Sequence, residues 1–111
     1  MIRIDIVLDE AGILRSCTAR GHANAGKTGA DIVCAAVSVL TRTMVRVLSD
    51  KNGVTIRSDA PESGLLRLET EYTAEGRNFL SAAGEFFITG LASVAEEFPG
   101  NVTLNISERR N

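Results

Sequence analysis

Along this chain the spacing of apolar residues switches from every second position to every third or fourth and back again, twice. That rhythm restricts the folds open to it more than any other feature. Ile2, Ile4, Ile6 and Leu8 alternate with Arg3, Asp5 and Val7, the period of a strand with one face on a core. Asp9 to Gly12 supplies a turn and Ile13 to about Arg20 a second strand, so a hairpin is predicted. Residues 21 to 30 are small and polar with three glycines, the composition of a mobile loop. Asp31 then reads as an N-cap. After it Ile32, Val33, Ala36, Val37, Leu40, Met44, Val47 and Leu48 form the stripe of an amphipathic helix that ends near Asn52-Gly53.

The rhythm then repeats. Val54 and Ile56 begin a short strand, Ala60 to Gly64 makes a turn, and Leu66, Leu68, Thr70 and Tyr72 alternate with Arg67, Glu69 and Glu71. A longer helix runs from about Ala74 to Phe98, with Leu80, Ala83, Phe87, Leu91, Val94 and Phe98 on one side and Pro99-Gly100 as its stop. Val102, Leu104 and Ile106 form a closing strand, and the polar tail from Ser107 to Asn111 is expected to fray. The predicted order is ββαββαβ. Two hairpins favour a largely antiparallel sheet with two helices packed on it, an α+β domain of two layers. All 111 residues are read as one domain, 1–111.

Composition narrows the function classes. A net charge of −2 and a pI near 5.4 supply no basic field, so direct nucleic-acid binding is disfavoured. The alternating N-terminus lacks the uninterrupted apolar segment of a signal peptide, and no stretch is read as spanning a bilayer, so no membrane partner is expected. A cytoplasmic location is the expectation, where Cys17 and Cys34 would stay reduced rather than pair. One histidine and two cysteines without CxxC spacing give no basis for a metal site, and no cofactor is implied.

The stretch from Gly21 to Ser38 holds the single histidine, His22, and Cys34. A thiol attacks carbonyls as thiolate, and a free cysteine is mostly protonated at neutral pH. Placed three residues after the cap, Cys34 would lie in the first helical turn, where unpaired N–H groups and the helix dipole favour negative charge. An imidazolium at His22 would add to this and later protonate a leaving amine. Asp31, Cys34 and Ser38 are spaced i, i+3, i+7 and share one face. Asp31 either orients His22 or simply caps the helix, and Ser38 either steadies the site or is solvated. Cys34 has a second reading as a small core hydrophobe, and His22 as a loop residue. Cys17, on a strand, is read as structural and Lys27 as an exposed loop cation. Phe79, Phe86, Phe87 and Phe98 are read as core. Gly76, Gly84 and Gly90 fall in the second helix, where each costs roughly 1 kcal/mol; close packing against another helix, from this chain or a second subunit, would explain them.

Gly21-His22-Ala23 followed by Gly29-Ala30-Asp31-Ile32-Val33-Cys34-Ala35-Ala36-Val37-Ser38 resembles the signature of the ribosomal-processing cysteine protease family, Prp. The loop between them reads Asn24-Ala25-Gly26-Lys27-Thr28, without the aromatic residue many members carry there. The resemblance implies a cysteine endopeptidase with a dyad mapped onto His22 and Cys34, and with Asp31 and Ser38 at accessory positions. It also implies a homodimer. The implied substrate is the large-subunit ribosomal protein numbered twenty-seven, which loses an N-terminal extension after a pair of aromatic residues. The loop from Ala23 to Ala30 would gate the site. The rival readings are a non-catalytic ribosome-assembly or interaction module, and a redox sensor in which Cys17 and Cys34 bridge.

Overall fold

The computed structural model describes residues 1–21, 30–62 and 64–108, with the backbone alone at residues 30 and 31. The elements are β1 (Ile2–Leu8), β2 (Leu14–Arg20), α1 (Ala30–Ser49), β3 (Val54–Glu62), β4 (Leu65–Tyr72), α2 (Arg77–Glu97) and β5 (Val102–Glu108). This is the ββαββαβ order of an α+β fold. The sheet runs β3-β4-β2-β1-β5, with every neighbouring pair antiparallel except β1 and β5. It is therefore mixed, mostly antiparallel.

The two helices share one face for a topological reason. Pairing directions make β2 and β3 parallel to each other, and likewise β4 and β5, so α1 and α2 are both crossovers between parallel strands. One crossover moves toward the β3 edge and the other, on oppositely directed strands, toward the β5 edge. They are related by a half-turn in the plane of the sheet, so the right-handed rule places both helices on the same side.

That side is the core. Strand registers align Ile6 with Cys17 and Cys17 with Leu68, and align Ile4 with Ala19 and with Leu104. Ile4, Ile6, Cys17 and Leu68 are buried beneath Val33, Val37, Met44 and Leu48 of α1 and Leu80, Phe87 and Leu91 of α2. Truncating one of the larger of these to alanine costs about 2–5 kcal/mol. Thr41 and Thr70 join the core by donating their hydroxyls to the carbonyl oxygens of Val37, at 2.8 Å, and Leu14, at 2.6 Å. The opposite face of the sheet is solvated, and Arg67 grips Asp59 there with two contacts of 3.1 Å.

Several expectations are corrected. β3 is not short: it runs nine residues to Glu62, through the segment expected to turn at Ala60. α2 begins at Arg77, with Gly76 as its N-cap rather than inside it. Ile32 and Val47 point outward, 60% and 41% exposed, and so do Phe79 and Phe86, at 37% and 77%. The α1 stripe is narrower than its composition suggests because Val33, Val37, Met44 and Leu48 already fill the sheet side. The helical glycines serve contacts within this chain. A Cβ on Gly84 would stand 3.1 Å from the Leu14 side chain, and one on Gly90 would stand 3.0 Å from Leu40. They give no support to a second subunit. Contrary to the reading that no stretch could span a bilayer, Ile32–Ser49 and Arg77–Glu97 are each long and apolar enough by length and composition. Here each lays its buried stripe on the sheet instead.

The β1–β2 turn is locked by one carboxylate. Asp9 Oδ1 accepts from the backbone N–H groups of Ala11 at 2.9 Å and Ile13 at 3.0 Å, and Oδ2 accepts from the Tyr72 hydroxyl at the end of β4. Partial burial by itself pushes the Asp9 carboxyl up, but Tyr72, the two N–H groups and the charge of Arg77 outweigh it and hold it below its ordinary value. A depressed carboxyl contributes stability that is present above its unfolded pKa, ordinarily 3.8, and lost as pH falls through the folded value. Tyr72→Phe is expected to cost about 1 kcal/mol at neutral pH. That cost should shrink in acid as Asp9 protonates. Chemical denaturation across the acid range checks this, and an equal cost at neutral and strongly acidic pH would contradict it.

Candidate active site around Cys34

α1 begins at Ala30, one residue before the expected cap. Asp31 therefore lies inside the first turn rather than ahead of it, and Cys34 is the fifth helical residue. At that position its own N–H pairs with the carbonyl of Ala30 in the regular helical ladder, while the N–H groups of Ala30, Asp31 and Ile32 have no intrahelical acceptor. Any donor array at this helix end belongs to the residues ahead of Val33 and not to the cysteine.

Cys34 packs against the core on one side and opens on the other into a groove of about 530 Å³. The groove has three walls. Cys34, Val37 and Ser38 come from α1, at the i, i+3, i+4 spacing of one helix face. Ile2, Ala19 and Gly21 come from the ends of β1 and β2, and Ala60, Glu62, Gly64, Leu65 and Leu66 from the β3–β4 hairpin. The lining is largely apolar, with Glu62 the one charged side chain among the described residues of the wall.

Gly21 fixes where the β2 strand leaves the sheet. Its φ is +119°, its N–H donates to the Gly64 carbonyl at 2.9 Å, and a Cβ there would stand 2.2 Å from the Met1 carbonyl oxygen. Only glycine fits both the left-handed angle and the close approach. The residue it hands the chain on to is His22. His22, the loop 23–29 expected to act as a gate, and the Asp31 side chain lie outside the described residues. Ala30, expected as the last loop residue, opens α1 instead. Of the four site residues read from the sequence, the structure thus describes the side chains of Cys34 and Ser38, and both face the same groove.

The second cysteine is a different chemical object. Cys17 is a free thiol 4% exposed, flanked in the sheet by Ile6 and Leu68. Burial, with the charge of Asp5 adding to it, pushes its pKa up to about 12. It stays protonated at any physiological pH and is inert as a nucleophile. Cys34 is also free, and it is the one of the two that borders the groove. Among the described residues no group of three His, Cys, Asp or Glu converges as a metal site.

The hairpin wall was missed in the sequence, where Ala60 to Gly64 reads as a turn. A signal was present. Val54 and Ile56 face the helices, and Ser58 and Ala60 continue the same alternation with small side chains, before the pairing with β4 slips by one residue ahead of Glu62. Such residues cannot extend the core, and the stretch of sheet they leave uncovered forms one side of the groove.

The profile of the family described as Cysteine protease Prp matches residues 1–103. No curated protein sequence matches the chain. Among solved structures, a Streptococcus mutans protein superposes with a TM-score of 0.80 at 31% identity, over 98% of this chain and 99% of that one. The ribosomal processing protease Prp of S. aureus, in complex with a substrate peptide, matches with a TM-score of 0.80 at 21% identity. The same S. aureus protease with a covalently linked product peptide gives 0.78 at 22% identity. Both S. aureus matches cover 96% of this chain and 99% of the other. With the profile spanning nearly its whole length, the chain belongs to the cysteine protease Prp family.

Proposed function

We propose that this cysteine protease is a ribosomal-processing endopeptidase that removes the N-terminal extension of the large-subunit ribosomal protein numbered twenty-seven, using Cys34 and His22. The observation that carries the reading is that Cys34 and Gly21, the residue before the single histidine, line the same open groove. The apolar walls supplied by Ile2, Val37, Leu65 and Leu66 suit a substrate cut after a pair of aromatic residues. The S. aureus relative, whose description names ribosomal processing, has been seen with a substrate peptide.

In this mechanism the Cys34 thiolate, held as an ion pair with the His22 imidazolium, attacks the scissile carbonyl carbon. The new C–S bond gives a tetrahedral oxyanion, and free N–H groups in the first turn of α1 are the donors nearest in sequence to stabilise it. Collapse breaks the C–N bond as His22 gives its proton to the leaving amine. Water then hydrolyses the thioester, with the now neutral imidazole as general base. Asp31 orients His22, and Ser38, one turn beyond Cys34, steadies the bound peptide or the base. The loop from Ala23 to Gly29 gates entry.

The rival readings lose support from the same geometry. A non-catalytic module would be expected to bury Cys34 away from any opening, yet Cys34 borders a groove. A redox sensor needs Cys17 and Cys34 to bridge, whereas both are free thiols and Cys17 is held in the core. Cys34→Ala and His22→Ala should each abolish cleavage of the extended ribosomal protein while leaving the folded fraction unchanged. Retained cleavage by Cys34→Ala would remove the mechanism, and retained cleavage by His22→Ala alone would remove the dyad.

We extend the proposal to a cytoplasmic homodimer. Phe86 is exposed beside Val47, and with Leu40, Met44 and Ala83 they line an apolar cleft of about 250 Å³ between the helices. An apolar face of this kind is what a second copy would cover. Sedimentation at micromolar concentration should show twice the chain mass of 11.8 kDa. A single species at the chain mass, unchanged by Phe86→Glu, would contradict it.

A further inference from the structure

The groove does not stop at the cysteine. A second depression of about 670 Å³ shares Ala60 and Leu66 with the first and continues along α1 past Arg42 and Arg46. Ser38, Arg42 and Arg46 follow one another at four-residue steps, so they form a line on one face of the helix leading away from Cys34. Ser58 and Ala60 of β3 line the far side, and their small side chains leave the channel open.

The two ends of this channel differ in charge. Glu62 stands at the cysteine end. Arg42 and Arg46 stand at the other, and both are exposed. Among the described residues neither has a carboxylate partner within salt-bridge distance. Asp59 also borders this end, but its carboxylate lies on the solvated face of the sheet, where Arg67 holds both of its oxygens at 3.1 Å, so it is not free to neutralise them. The Arg42 Nε donates to the Ser38 carbonyl at 3.4 Å, which draws its guanidinium back along the helix toward the first groove.

We infer that Arg42 and Arg46 form a subsite for an acidic side chain of the bound polypeptide. The inference rests on the protease reading of the Cys34 groove and adds to it a charge requirement. At 1.5 Å per residue, Arg42 and Arg46 lie roughly 12 and 18 Å along α1 from Cys34. An extended peptide advances about 3.3 Å per residue, so the acidic residue sits some four to five positions from the scissile bond. Two guanidinium groups can receive a carboxylate with several charge-assisted hydrogen bonds. Glu62 disfavours a carboxylate close to the cleavage point, so the substrate places its acid at a distance.

Two fluorescein-labelled peptides test this. Each has a central Phe-Phe pair among neutral residues, and they differ only in carrying Asp or Lys about four positions to either side of the pair, which makes the test independent of chain direction. Binding is read by anisotropy on the full-length Cys34→Ala protein at low salt. The Asp peptide should bind about tenfold more tightly than the Lys peptide, with the difference fading at high salt. Arg42→Gln with Arg46→Gln should abolish the preference, and Arg42→Glu with Arg46→Glu should reverse it. Equal affinities, no binding of either peptide, or a preference that survives charge reversal overturns the subsite. Cleavage of both peptides by the wild-type protein is read separately. Selective binding without cleavage of either sinks the protease reading and leaves the subsite standing, whereas cleavage of both with equal binding does the opposite.

Discussion

Burial of Ile4 and Ile6 beneath the helical layer is the constraint on which the other features of this molecule depend. Among the described strands β1 alone has an antiparallel neighbour on one side and a parallel neighbour on the other, and its inward side chains Ile4 and Ile6 are 0% and 1% exposed. Two right-handed crossovers force α1 and α2 onto the same face, and that face can be dry only where side chains from both helices reach the sheet. Over β1, β2 and the middle of β4 they do. Beyond Leu68, toward the tip of the β3–β4 hairpin, Ser58, Ala60 and Glu62 offer little apolar surface to cover. The sheet there projects past the core, and the space between its uncovered end and the start of α1 is the groove that Cys34 borders.

The same architecture assigns opposite chemistry to the two cysteines. Cys17 fills a row between Ile6 and Leu68 beneath the helices, where a thiolate would be a buried uncompensated charge, and its pKa of about 12 reflects that. Cys34 is anchored by the core through one side and meets solvent through the other. Its attachment to a helix end also gives it a rigid backbone, which holds an attacking atom in place better than a loop would. Residue type says little here; position relative to the edge of the core says most.

Much of this was legible in the sequence. Strict alternation at Ile2 to Leu8 and at Leu66 to Tyr72, and the three- and four-residue steps of both helices, were enough for the element order and fold class, because each pattern reports a one-sided burial. Strand order was not legible, since no local pattern says that β5 pairs with β1 in parallel across a separation of a hundred residues. Helix starts were also misplaced. Asp31 resembles an N-cap by type, but the helix is already under way at Ala30, and Ala74 fits a helix although the chain is still turning around Gly76, whose backbone is packed on Gly53. Phe86 shows the limit of composition, for its neighbour Phe87 takes the buried position and leaves it outside. In the site, Cys34 and Ser38 were placed on one face correctly from spacing alone, while the hairpin wall was hidden because Pro61 and Gly64 read as turn residues.

The account turns on Cys34 being the nucleophile in a groove shaped for a peptide. Its most direct test is covalent capture with a peptide that ends in two aromatic residues and a chloromethyl ketone, in which sulfur displaces chloride and forms a thioether. Tandem mass spectrometry of the digested adduct locates the new bond. The account predicts one adduct per chain, on Cys34 and not on Cys17, formed much faster than with a reagent whose aromatic residues are replaced by glycine. Modification of Cys17, or modification of Cys34 at the same rate with either reagent, would contradict it.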